Sequence, residues 1–96
     1  MSKENNPTHV LQDQEQIDAI SKRLKRAHGQ LAAVIRMLED GRNCDEVVTQ
    51  MAAVNKAVNT AAFTLISTSL KECIVENKNN NQAVQEKLQK LFLSLA

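Results

Sequence analysis

Two thiols carry the clearest chemical potential of this sequence: Cys44 and Cys73, the only cysteines among 96 residues, 29 positions apart. The stretch they bound, CDEVVTQMAAVNKAVNTAAFTLISTSLKEC, contains no Gly and no Pro. Its larger apolar residues, among them Val47, Met51, Val54, Val58, Leu65 and Leu70, recur at three- and four-residue steps, which predicts one unbroken helix. At ~1.5 Å per residue the two cysteines then lie roughly 43 Å apart, whereas a disulfide needs Cα atoms within about 7 Å. They cannot meet within one chain. In a two-fold dimer with this helix antiparallel to its copy, Cys44 approaches Cys73 of the partner subunit.

Such a pair can exchange sulfur bonds or hold a soft metal ion. The N-terminal end of a helix favours negative charge near Cys44, and Asp45 and Glu46 oppose it. The opposite end disfavours it near Cys73, so Cys44 is the better nucleophile and Cys73 of the partner subunit the resolving thiol. The plainer alternative is that each is a small buried apolar residue. Ser69 precedes Cys73 by four residues and shares its helix face. A His at that position would complete a Cys, His, Cys set for a soft metal, but Ser is a poor ligand for one. His28 falls in the preceding helix near a basic cluster, and His9 reads as a solvated side chain of the N-terminal tail. The sequence thus supplies two thiols and no third ligand.

The net charge of +1 averages over a clustered distribution. Lys22, Arg23, Lys25 and Arg26 form the strongest cluster, joined by Arg36, Arg42 and Lys56; repeated across an oligomer, they make a surface suited to the backbone of double-stranded DNA. As a null, the same run is a solvated helix face. With 2% aromatic residues and neither Tyr nor Trp, single-strand stacking platforms are excluded. The long helices flanking the turn also exclude a helix-turn-helix, leaving phosphates and groove shape to be read. An enzyme is excluded in the same way: no Ser/His/Asp set, Gly-rich phosphate loop or paired-carboxylate cleft is present.

The elements that must position these residues follow from their patterning. Residues 1–11 read as a flexible tail and 12–96 as one helical domain. A first helix runs from about Asp13 to Glu39, with Ile17, Ile20, Leu24, Ala27, Leu31, Val34 and Leu38 forming a heptad seam. Gly41 stops it, and Asn43 with Glu46 resembles an N-cap and its partner. So short a connection folds the two long helices into an antiparallel hairpin, with a close approach expected at Gly29. The polar run 76–81 is a loop, and a third helix spans about Gln82 to Leu95. Two hairpins joined across their second helices give an all-α, antiparallel four-helix-bundle dimer, with the third helices packed at its ends. No apolar run is long enough for a membrane span and the N-terminus lacks a signal-peptide core, so a cytoplasmic protein is expected.

With these residues in place, RLKRAHGQLAAVIRMLEDGRNCDEVVTQMAAVNKAV and LISTSLKECI resemble the CsoR/RcnR/FrmR family of bacterial transcriptional repressors across about residues 17–95. The resemblance implies dimers that pair into a homotetramer, bind operator DNA and release it when an inducer occupies the site between subunits. Copper sensors of that family match Cys44 and Cys73 but carry His where this chain has Ser69. Two cysteines without the His resemble the persulfide-sensing CstR branch, in which persulfide or polysulfide cross-links the pair. For DNA contact, Arg23 and Lys25 match the family's basic positions in the first helix, and Lys56 is the nearest match in the second. Glu86 falls where copper sensors keep a carboxylate behind their metal ligands. The expectation is therefore a repressor sensing reactive sulfur species through Cys44 and Cys73, with no cofactor and no metal. Its alternative is a Cu(I) sensor that uses the same two thiolates, and a third reading is a helical scaffold with no DNA role.

Overall fold

The computed structural model describes residues 8–76 and 81–96. Three helices follow in order: α1 from Gln14 to Glu39, α2 from Cys44 to Glu76 and α3 from Asn81 to Leu95. All described regular structure is helical, as the periodicity predicts. The first seven residues of the expected tail, and positions 77–80 of the expected loop, lie outside the described residues.

Local chemistry sets each boundary. Asp13 caps α1 rather than beginning it, its side chain accepting the Gln16 N–H at 3.2 Å. At the other end Gly41 adopts φ 74°. The Gly41 N–H donates to the Leu38 carbonyl at 3.2 Å and the Arg42 N–H to Met37 at 3.0 Å, a Schellman stop. Glu46 does not play the expected capping role. Its two oxygens accept from Arg42 Nε at 3.2 Å and Nη2 at 3.3 Å, a bidentate pair across the turn. α2 continues three residues beyond Cys73. α3 begins at Asn81, one residue before its expected start, where the buried Asn81 amide donates to the Cys73 carbonyl and ties the start of α3 to the end of α2.

α1 and α2 pack as an antiparallel hairpin, and α3 packs on α2 alone. The α1 seam proves to be two lines. Ile20, Ala27 and Val34 are buried, whereas Leu24, Leu31 and Leu38 remain exposed. A heptad step returns a helix to nearly the same face, so one line fills the hairpin and the other lies beside it. Gly29 meets nothing within 4 Å of an added Cβ, so the close approach expected there is absent from the hairpin.

Among the described residues, five Val and Ile side chains are buried and 14 large apolar ones are exposed. Full burial of such a side chain stabilises by about 1.5–3 kcal/mol, so most of the chain's apolar potential is unused in the single copy. The shape agrees with that imbalance. The chain measures 54 × 27 × 25 Å, and its radius of gyration of 17.2 Å exceeds the ~13 Å of a globule this long.

Candidate functional site

Cys44 is exposed at the first position of α2, and Cys73 lies near its far end, 1% exposed. At about 100° per residue, 29 residues amount to eight turns and roughly 20°. Both thiols therefore stand on one face of α2, and the exposed Met51, Val58 and Leu65 repeat at seven-residue steps from Cys44 along it. Ser69 continues the same face and is buried at 6% exposure. The accessible thiol is Cys44, in keeping with its expected role as the group that reacts first.

The end of α2 that carries Cys73 is also where the chain's N-terminal segment docks. Glu72 receives it: Oε1 accepts the Gln12 N–H at 2.9 Å and Oε2 the Asp13 N–H at 2.8 Å. His9 Nε2 stands 2.8 Å from Glu72 Oε1. The Gln12 N–H foremost, with His9 and the Asp13 N–H, holds the Glu72 carboxyl below the usual carboxylate range against the opposing effect of desolvation. The His9 side chain is only 7% exposed. Far from being solvated, it lines a recess of about 240 Å³ with Thr8, Ser69, Val84 and Leu88. Lys87 brings a positive charge to that recess, while Glu86, the carboxylate singled out from sequence, is exposed on α3.

His9 and Glu72 are the members of this constellation that the sequence reading missed. A signal for them existed in the hairpin register. The register that brings Ala27 alongside Ala53 and Ala57 carries Asp13 to the level of Glu72, so the residues just before Asp13 must pass the thiol end of α2.

The basic residues gather on the other flank of the hairpin. Three residues on from Ile20 is a turn of about 300° and four is about 400°, so Arg23 and Leu24 fall on opposite sides of the buried line. Arg23, Arg26 and Lys56 line one open groove with Gln30 and Thr60. Lys22 and Lys25 are exposed on the same turns of α1, outside the groove. Two elements distant in sequence thus present one cationic surface, separated by the hairpin's core from the exposed apolar line.

Among the described residues, no three His, Cys, Asp or Glu side chains of one chain form a group that could hold a metal ion. No helix is long and apolar enough to cross a membrane. The profile of a family described as metal-sensitive transcriptional repressor matches residues 16–94. A copper-sensing transcriptional repressor of Mycobacterium tuberculosis, RicR, is 37% identical over 60 residues, which is 62% of each chain. The copper-sensing transcriptional repressor CsoR of Bacillus subtilis is 31% identical over 74 residues, 74% of this chain and 73% of that one. An uncharacterized Serratia marcescens protein from the bioA 5' region is 30% identical over 88 residues, covering 92% of this chain and 93% of its own. No solved structure matches the chain.

Proposed function

This chain belongs to the metal-sensitive transcriptional repressor family, and on that footing we propose that it binds operator DNA and releases it when a thiophilic inducer is taken up between subunits by Cys44 and Cys73. Cu(I) is the inducer the findings favour. Soft thiolates select it, and two relatives are named for copper sensing. The observation that carries the reading is that both thiols stand on one face of α2, eight turns apart. An antiparallel copy on that face would cover Met51, Val58 and Leu65 and bring Cys44 to Cys73 of the partner subunit at each end. When bound, Cu(I) would supply a bond to sulfur from each of two chains. Cys44, exposed, would receive the inducer, and Cys73 would hold it against the packed end of the bundle.

The DNA would lie along the cationic flank, across Arg23, Arg26 and Lys56, with Lys22 and Lys25 beside them. Tying two α2 helices together at their ends shifts the spacing of those grooves. A coupling of about 1–3 kcal/mol, or roughly 5- to 150-fold in operator affinity, is the range such a shift must supply. On this reading log affinity falls steeply with log salt. Arg23→Ala and Lys56→Ala each flatten that slope by about one for every copy that touches a phosphate, and weaken all duplexes alike. Gel-shift titrations at several salt concentrations check this. A wild-type affinity indifferent to salt would return the chain to the scaffold reading.

One observation favours a second inducer. Ser69 stands where the copper sensors that the sequence resembles carry an imidazole, and two bare thiols suit sulfur transfer, as in the CstR branch. The Cys44 thiolate would attack the outer sulfur of a persulfide, RSSH, expelling RS⁻ and becoming Cys44–SSH. The thiolate of Cys73 of the partner subunit would then attack the inner sulfur, forming a disulfide and expelling hydrosulfide.

Anaerobic protein treated separately with Cu(I) and with a polysulfide, then measured for operator affinity and non-reducing intact mass, separates the two inducers. Loss of operator affinity with Cu(I), at an unchanged chain mass, is the expected result. A covalent dimer, with DNA released only by polysulfide, would replace it with the sulfur reading.

A further inference from the structure

We propose that His9 is the third donor of this site, an imidazole delivered by the N-terminal segment to the position that Ser69 leaves open. The inference rests on the Cu(I) reading above. His9 lines the recess beside Ser69, which precedes Cys73 by one helical turn on the same face. Its side chain is 7% exposed, although only an extended segment preceding α1 carries it. That segment is fastened to the residue next to Cys73: the Glu72 carboxylate accepts the N–H groups of both Gln12 and Asp13. Its register against the thiol is therefore set.

The orientation is that of a ligating histidine. Nε2 stands 2.8 Å from Glu72 Oε1, and a neutral imidazole that donates Nε2–H there carries its lone pair on Nδ1. A carboxylate on one ring nitrogen fixes the tautomer and raises the basicity of the other, as is usual behind metal-bound imidazoles. The size of residue 69 belongs to the same arrangement. An imidazole at 69 would occupy the recess, whereas the small Ser hydroxymethyl leaves the volume to His9. The chain would thus reach a two-sulfur, one-nitrogen set by a different route along the sequence.

The test is Cu(I) loaded anaerobically into the full chain, followed by Cu-edge X-ray absorption and by competition with a chromogenic Cu(I) chelator. Wild type is expected to give a three-coordinate spectrum with two sulfurs and one nitrogen. His9→Ala should give a two-coordinate, two-sulfur spectrum, with Cu(I) affinity lower by about ten-fold or more. Adding Ser69→His to His9→Ala should restore the nitrogen. His9 lies outside all three helices, so circular dichroism of His9→Ala should match wild type. Wild-type binding through sulfur alone, or a His9→Ala spectrum identical to wild type, overturns the role of His9 and leaves Cu(I) sensing intact. A wild-type chain that takes up no Cu(I) overturns both.

Discussion

Cys44→Ala is expected to bind operator DNA as wild type does and to lose its response to Cu(I) and to polysulfide alike. Where the wild-type affinity falls by roughly 5- to 150-fold on induction, the variant's should stay within about two-fold. Cys44 is the thiol to change because it is exposed at the first position of α2, so truncating it removes chemistry without opening a cavity. Cys73 is 1% exposed, and Cys73→Ala removes packing as well as sulfur. The two variants together test the pairing itself. In an antiparallel dimer made of one Cys44→Ala chain and one Cys73→Ala chain, one site has lost both thiols. The other keeps both, because its Cys44 and Cys73 come from different chains. Mixing two unresponsive variants should therefore restore inducer binding at one site per mixed dimer, read by equilibrium Cu(I) titration after subunit exchange. Mixtures that stay inert, or a Cys44→Ala protein that still releases DNA, would rule out a site shared between subunits.

What could be read from sequence, and what could not, divides along periodicity. α1 and α2 repeat their apolar residues over seven or more turns, and their limits were legible within a residue or a few, because Gly41 and the Asn-rich run interrupt strong patterns. That same periodicity could not say which half of the seam fills the hairpin. Leu24 and Ala27 look alike as heptad positions, and only the small Ala27, facing Ala53 and Ala57, allows the two helices to approach there. Lys56 was a weak match from sequence alone, yet the antiparallel register brings it beside Arg23 and Arg26. His9 was misread for the opposite reason. A segment without periodicity gives no sign of packing, and its placement depends on Glu72, some 60 residues away in the chain. Glu46 shows the limit of motif reading. Its spacing from Asn43 suits a cap, but Arg42 offers a stronger, charge-assisted partner.

Val58→Glu is expected to break the dimer. If Cys44 faces Cys73 of the partner subunit at both ends of an antiparallel α2 pair, the two-fold axis must cross α2 at its midpoint between them, by residues 58 and 59. Val58 is exposed in the single chain, at 42%, and lies on the Cys44, Met51, Val58 and Leu65 line. A change there costs the isolated hairpin little. In the dimer, however, it sets two carboxylates against each other across the axis. At a separation of ~5 Å and an effective dielectric constant of ~20, their repulsion is about 3 kcal/mol. Desolvation of each charge adds to that, so the dimer dissociation constant should rise by a factor of about 10² or more. Sedimentation at neutral pH should show monomers whose helical content is close to wild type. The sign of the pH effect follows from the pair. Two facing carboxylates raise each other's pKa, so lowering the pH neutralises one of them first and association should recover on the acid side. Val58→Gln, close in shape without the charge, should remain dimeric to a lower concentration than Val58→Glu at neutral pH. The variants also discriminate between packing faces, because an axis placed elsewhere on α2 would leave Val58 at a rim where a carboxylate is hydrated. A Val58→Glu protein that stayed dimeric and still answered its inducer would therefore move the axis away from the midpoint, and with it the pairing of Cys44 to Cys73.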